Sequence, residues 1–389
     1  MALNFTLLTE EQIWGGKDGN GQLDVMKKFG TKVAPTDLAV LLGGYTDYSP
    51  TMDGKYTCCA WTTSSRRWVD VYCVGYNGGR GHMSPDTHSV PVRPALSPSE
   101  TEKLVLNGHK TVKNGVEILK YGEYPQTIAN NDISAQLERL YQSQSLHPRG
   151  KIYTFDSFDP NYYDPRFRKT TYSEYELDGK KYIRVIGRSS DSHLSNGEKV
   201  KGGRAYWVEV QPIEWLVDKS GTWVSKKCLF AGIQFDTGKY YDGDFSKTFM
   251  KKYLDTYFAK EMGHEEIVAQ KEKQKRDKVL MGLSARLEEA TSDEAVEAIK
   301  KRLMEAEKNR AVKTAPNRLH EAARIKRLRN ARDILNEAAQ QAYDAGDRAL
   351  LDGIIDLSST YAARDQGQQN RVAQRRAVRR AQRKQGGRG

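Results

Sequence analysis

The first two-thirds of the chain carry strand-like alternation and short amphipathic turns, whereas the last third carries only sparse helical stripes. "WVDVYCVGY" (68–76) alternates, with Val69, Val71, Cys73 and Gly75 on one face against Trp68, Asp70, Tyr72, Val74 and Tyr76 on the other, which predicts a strand. "TYSEYELDGKKYIRVIG" (171–187) predicts a hairpin, because Asp178-Gly179 is the dipeptide that a type I′ turn needs. "AYWVEVQPIEWLVDKSGTWVSKKCLFAGI" (205–233) predicts two more strands around Lys219-Ser220-Gly221, the first bending at Pro212. Between them lie helix signals. Thr9 and Gln12 form a capping box before "EEQIW", Thr36 and Gly43 bracket "PTDLAVLLGG", and Asp132 stands as a cap for "NNDISAQLERLYQ". "DFSKTFMKKYLDTYF" gathers Phe249, Tyr253, Leu254, Tyr257 and Phe258 on one side of a helix. "NGGRGHMSPDTHS" reads as a turn-rich excursion, and Pro91 and Pro94 make "PVRPAL" extended without suiting it to a central strand. Short helices with antiparallel hairpins make an α+β body over residues 1–262.

From about residue 265 the pattern is helical. Ile267, Val279, Leu280, Leu283 and Leu287 lead to Val296, Ile299 and Leu303; after a break at "KTAPN" come Leu319, Ile325, Leu328, Ile334 and Leu335, then Leu350, Leu351, Ile354 and Ile355. Such sparse stripes suit helical hairpins or a coiled coil and leave room for homo-oligomerisation. This α-helical extension spans 263–370, and a basic, unstructured tail is expected over 371–389.

Charge sharpens that boundary. The formal charge of the 389 residues is +12, and residues 271–389 hold 28 Lys and Arg against 17 Asp and Glu, a balance of +11. Only Tyr343 and Tyr361 of the 37 aromatic residues lie beyond residue 270. A neutral, aromatic-rich body is therefore joined to a basic, aromatic-poor extension. Its last stretch includes Arg371, Arg375, Arg376, Arg379, Arg380, Arg383 and Lys384 with no acidic residue. On a helix these groups could lie along a nucleic-acid backbone or another polyanion by counterion release. Without interleaved aromatics such binding would be phosphate-directed and insensitive to sequence. The alternative is a solvated end.

Candidate chemistry is thin. "MALNFTLLTEEQIW" lacks the charged and apolar regions of a secretory leader, and no apolar run approaches about 18 residues, so no membrane partner and a cytoplasmic location are expected, with a virion location if the chain is phage-encoded. Cys58, Cys59, Cys73 and Cys228 do not form a disulfide framework and read as buried free thiols. His82 and His88 lack zinc-ligand spacing. "DGNGQLD" (Asp18, Asn20, Gln22, Asp24) and "DTGKYYDGD" (Asp236, Asp242, Asp244) are incomplete calcium loops that read as solvated turns. No phosphate-binding glycine loop is present, so neither a metal nor a cofactor is expected. One stretch has the composition of a recognition surface. Trp61, Ser64, Ser65, Arg66, Arg67, Trp68, Asp70, Tyr72, Tyr76, Asn77 and Arg80 mix rigid aromatics with short polar and arginine groups, as interface hot spots do. The competing reading puts Trp61 and Trp68 in the core and leaves the rest as a solvated hairpin.

Three blocks resemble a known family: "YGEYPQTI" at 121–128, "VEVQPIEWLVD" followed by "VSKKCLFAGIQFD" within 208–236, and "WTTS" with "VPVRPAL" within 61–96. Together they resemble an uncharacterised bacterial and phage domain family, itself similar to the C-type-lectin-like fold of sulfatase-modifying factors and of the variable proteins of diversity-generating retroelements. The resemblance covers roughly residues 36–262. In that family the "VRPAL" block closes the domain; here it comes first, which implies circular permutation, with 36–96 and 115–262 forming one domain. Two small domains would each have too little core. The resemblance implies a displayed face within residues 61–81 for a protein or glycan ligand, and a structural role for Arg93. It also raises cysteine-bound copper chemistry, which adjacent strand residues Cys58 and Cys59 do not suit because they point to opposite faces. The expectation is a non-enzymatic recognition or display protein; a nucleic-acid-associated protein acting through its tail and a phage-type structural protein are the alternatives.

Overall fold

The chain begins with strand β1 (Phe5–Thr6) and helices α1 (Glu10–Trp14), α2 (Asp24–Phe29) and α3 (Asp37–Leu41). Strands β2 (Thr46–Thr51), β3 (Gly54–Cys58), β4 (Ala60–Arg66), β5 (Asp70–Val74), β6 (Arg80–Met83) and β7 (Ala95–Leu96) follow, and then helix α4 (Pro98–Thr101). Next come β8 (Thr111–Lys113), β9 (Val116–Ile128), α5 (Asn131–Gln142), β10 (Pro148–Phe155), β11 (Thr170–Leu177), β12 (Lys180–Ile186), β13 (Ala205–Val217) and β14 (Trp223–Ser225). Helices α6 (Phe249–Tyr253), α7 (Ala259–Glu261), α8 (His264–Thr291), α9 (Asp293–Lys308) and α10 (Pro316–Asp344) complete the order. The structure, a computed structural model, describes residues 3–18, 20–51, 54–66, 69–102, 104, 111–155, 169–188, 191–237, 240–308, 316–360 and 362. It divides into two units, Met1–Val268 and Ala269–Gly389.

The first unit is α+β with antiparallel pairing. Among the described residues nine strands form one sheet, with β13 at its centre. On one side β13 pairs with β9 from Val208↔Ile128 to Val217↔Glu117. On the other side it pairs first with β12, from Ala205↔Ile186 to Glu209↔Tyr182, and then with β14, from Trp215↔Ser225 to Val217↔Trp223. The change of partner coincides with register shifts against β9 between Glu209 and Val210 and between Pro212 and Glu214. Pro212 cannot donate to a ladder, so a bulge rather than a straight strand is what its position demands. Gln126 closes the irregularity: its Nε2 donates to the carbonyls of Gln211 (3.0 Å) and Pro212 (2.9 Å). The quoted "YPQ" and "QPIEW" blocks thus meet at one bulge.

The early segments enter the same core. Leu3, Phe5, Leu38 to Leu42, Trp61, Val71, Val90, Val92 and Leu96 share one buried cluster with Leu119, Tyr124, Val208, Trp215, Phe230 and Phe258. Phe5 packs edge-on against Phe258 at 4.9 Å, and Trp215 Nε1 donates to the Tyr121 carbonyl at 2.8 Å. Buried Asp37 accepts from the Ile128 amide (2.9 Å) and from the Ser195 amide (2.6 Å) and hydroxyl (2.8 Å), so its carboxylate is satisfied without a cation. Arg93 is 7% exposed; its Nε donates to the Ser225 carbonyl at 2.8 Å, the partner type expected of a structural arginine.

Several sequence expectations change in detail. The capping box at Thr9 and the Thr36 cap are present. The cap of α5 is Asn130, whose Oδ1 accepts from the Ile133 amide at 2.9 Å; Asp132 lies in the first turn. The Asp178-Gly179 turn has both residues at positive φ, 51° and 75°. "PVRPAL" does contribute an interior strand, since β7 pairs with β1 and β14, but only over Ala95–Leu96, beyond the last proline. The excursion after residue 76 contains β6, and the helix expected over 244–258 is broken into a 3₁₀ turn (Phe245–Lys247), α6 and a π turn (Leu254–Phe258).

In the second unit Leu283, Leu287, Ala331, Leu335, Ala342 and Ile354 form a narrow apolar seam. Gly353 lets this seam close, because a Cβ there would lie 2.7 Å from Leu280 Cδ1. Residues 348–360 are helical. Residues 371–389, with all the tail arginines, lie outside the described residues. Among the described residues no helix is long and apolar enough to cross a membrane.

One buried acid gives the first unit a pH signature. Glu261 is 5% exposed; its Oε1 accepts from the Thr154 amide at 2.6 Å, while Oε2 has no hydrogen-bond partner. Burial pushes its carboxyl up to about 8 from an ordinary 4.5. A raised pKa in the folded state means that its contribution is fully present below about 4.5 and is lost as pH rises through about 8. Glu261→Gln should therefore leave stability at pH 5 nearly unchanged and raise it relative to the parent at pH 9, as read by urea unfolding at the two pH values.

Candidate ligand-binding face

Strands β4, β5 and β6 form a three-stranded antiparallel sheet separate from the large one. Its register fixes what each face carries. Arg66↔Asp70, Tyr72↔His82 and Val74↔Arg80 are directly opposed pairs, and Asp70, Tyr72 and Val74 alternate along β5. The pleat therefore puts Arg66, Asp70, Tyr72, Arg80 and His82 on one face, together with Val74, which is buried in a smaller core. Trp61↔Cys73 and Ser65↔Val71 belong to the opposite face. There Trp61, Val71 and Cys73 are buried in the main core, with Trp61 against Phe235 at 5.3 Å.

Polar contacts hold the outer face in place. His82 Nδ1 lies 2.9 Å from Asp70 Oδ2, and Arg66 Nη1 meets His82 Nε2. An arginine always donates, so Nε2 is the acceptor and the ring proton sits on Nδ1 toward Asp70. Helix α1 adds to the face: Glu10 pairs with Arg80 at 2.8 Å, and the Arg80 guanidinium lies over the Trp14 ring at 5.5 Å. Trp14 Nε1 in turn donates to the Gly78 carbonyl at 3.0 Å. Arg80 and His82 remain about half exposed, and Tyr76 is 43% exposed on the adjoining turn.

The residues expected to form a site divide accordingly. Arg66, Asp70, Tyr72 and Arg80 come together. Trp61 does not belong with them: at 2% exposure its indole supports the sheet from beneath and cannot touch a ligand on the outer face. The Ser64 hydroxyl accepts from the Glu10 amide at 2.8 Å, and the Ser65 hydroxyl donates to the Tyr241 carbonyl at 2.9 Å, so both fasten β4 to its surroundings. Asn77 shapes the turn by accepting from the Gly79 amide at 2.9 Å. Arg67 and Trp68 lie outside the described residues. Sequence reasoning missed Glu10 and Trp14, which are distant in the chain, and weighed His82 only as a zinc ligand. The cross-strand pairing of Tyr72 with His82 depends on β6 being a strand, which its sequence does not signal.

Two of the candidate calcium-loop carboxylates are held by lysines. Asp24 is held by Lys28 (3.1 Å) and Lys219 (3.2 Å), and Asp244 by Lys247 (2.8 Å), which with Ser246 keeps its carboxyl down to about 2. Among the described residues no group of three or more His, Cys, Asp or Glu side chains could hold a metal ion. A polar groove of about 390 Å³, lined in part by Gln126, Gln211, Glu214, Lys226 and Lys227, lies over the β13 bulge. Comparison of the chain with family models, with curated proteins and with solved structures finds no match.

Tyr241 pins the inner edge of β4, donating to the Thr63 carbonyl at 2.7 Å, and burial raises its phenol above the ordinary range. Tyr241→Phe should cost about 0.5–1.5 kcal/mol in urea unfolding, the loss of one net hydrogen bond with the ring retained.

Proposed function

We propose that this chain is a non-enzymatic ligand-recognition or display protein whose binding face is the outer surface of β4, β5 and β6. One observation carries the reading: Arg66, Asp70, Tyr72, Arg80 and His82 share one face of a sheet whose other face is buried in the main core. Rigid backing with variable-length polar and aromatic groups outward is how binding surfaces combine preorganisation with adaptable contacts. The ligand that fits such a face is a protein or a glycan offering hydrogen-bond acceptors to the arginines and an apolar patch to Tyr72 and Tyr76. In this reading the body is a circularly permuted C-type-lectin-like domain, and the helical extension serves assembly, attachment or homo-oligomerisation. Residues 271–389, with their balance of +11, supply a second reading, phosphate-directed association with nucleic acid or use as a phage-type structural part.

Screening the full chain against immobilised glycans and displayed peptides tests the first reading. Ligands so found should lose affinity about tenfold or more with Arg66→Ala or Tyr72→Ala, as hot-spot side chains do. They should keep it with Lys227→Ala in the groove. Unchanged affinity in both face variants overturns the assignment. Salt-sensitive binding of DNA that disappears on deletion of 371–389 supports the second reading instead.

A further inference from the structure

The four cysteines do not act as four separate buried thiols; the fold sorts them into two pairs. Cys58 ends β3 and Cys59 precedes β4, so their side chains leave the chain on opposite sides. Cys58 is in contact with Cys228, and both sit in the smaller core with Val33, Ala60 and Val74. Cys59 packs against the main core, the cluster that also holds Cys73. Register explains the second contact. Ala60↔Val74 and Trp61↔Cys73 are paired, so Cys59 falls one step beyond, diagonal to Cys73 and on the same face of the pleat. Gly81, opposite Cys73 on β6, leaves room for the sulfur, since a Cβ there would lie 3.0 Å from it.

We propose that Cys59 and Cys73 are an oxidisable dithiol, a modification site that closes into a disulfide beneath the β4–β5 sheet, while Cys58 and Cys228 stay reduced. The pairs differ in access and chemistry. Cys58 and Cys228 are both fully buried, whereas Cys59 is half-buried and within reach of a small oxidant. The Cys73 thiol and the Tyr76 amide beside it hold the Cys59 thiol below the ordinary cysteine range despite burial; burial pushes Cys58 the other way. The oxidant is a low-molecular-weight disulfide such as oxidised glutathione. The Cys59 thiolate attacks one of its sulfurs, that S–S bond breaks, and glutathione leaves as a thiolate. This thiolate takes the Cys73 proton; Cys73 sulfur then attacks Cys59 sulfur and expels the second glutathione. Two protein thiols are oxidised by two electrons, and one oxidised glutathione becomes two reduced ones. The inference does not depend on the binding function.

The test uses the full chain, equilibrated with oxidised glutathione, alkylated under denaturing conditions and mapped by mass spectrometry without reduction. The expected result is a single cross-linked peptide joining Cys59 to Cys73, with Cys58 and Cys228 alkylated. In Cys73→Ser the first step has no resolving thiol, so glutathione should remain attached at Cys59. A cross-link that includes Cys58 or Cys228, or four alkylated cysteines in the parent protein after equilibration, overturns the proposal.

Discussion

Strand β13 has to satisfy three neighbours with 13 residues, and the bulge around Pro212 is how it does so. A straight strand would have to keep the same partner on each side, yet β12 and β14 share one side of β13 while β9 runs along the other. At the changeover the ladder loses bonds. Gln126 restores acceptor satisfaction for two carbonyls there, which is the physical reason for a nearly buried glutamine on a strand otherwise rich in apolar residues. Because β14 then pairs with β7, and β7 with β1, the N-terminal segments join the sheet through this arrangement.

The proposed binding face follows from that anchoring. Arg93, just before β7, is tied to the Ser225 carbonyl of β14, and Val92 bridges to Phe230. These contacts fix the end of the segment that carries β4, β5 and β6, while Trp61 and Val71 fix its underside. The outer face is thereby positioned by the core, and its Ala60–Val74 end is itself buried, in the smaller core. The same sheet places Cys59 and Cys73 together, so the thiol pair and the face share one scaffold.

Much of this was legible in the sequence, for reasons that differ by element. The Asp178-Gly179 hairpin and the Thr9 capping box were readable because local chemistry decides them. Asn130 displaced Asp132 as a cap because both residues can cap, and the chain direction entering α5 chooses between them. β6 was hidden by its glycine and its exposed polar residues, since Arg80, Gly81 and His82 form a strand only because β5 is there to pair with. Whether Trp61 belongs to the face or to the core stays open in the sequence because its side depends on a strand register that one sequence does not encode locally. The thiol pairs were likewise invisible, as they join residues 14 and 170 positions apart by way of tertiary contacts.

The central claim is that, over residues 60–83, the side of Trp61, Val71 and Cys73 is committed to the fold, whereas Arg66, Asp70, Tyr72, Arg80 and His82 on the other side are free for recognition. Saturation substitution across that stretch, scored for folded protein, tests it most directly. The account predicts that Arg66, Asp70, Tyr72, Arg80 and His82 accept most replacements, whereas Trp61, Val71 and Cys73 accept only small changes in volume. Equal intolerance on both faces would contradict it, because the outer side chains would then be part of the core's support and not a displayed surface.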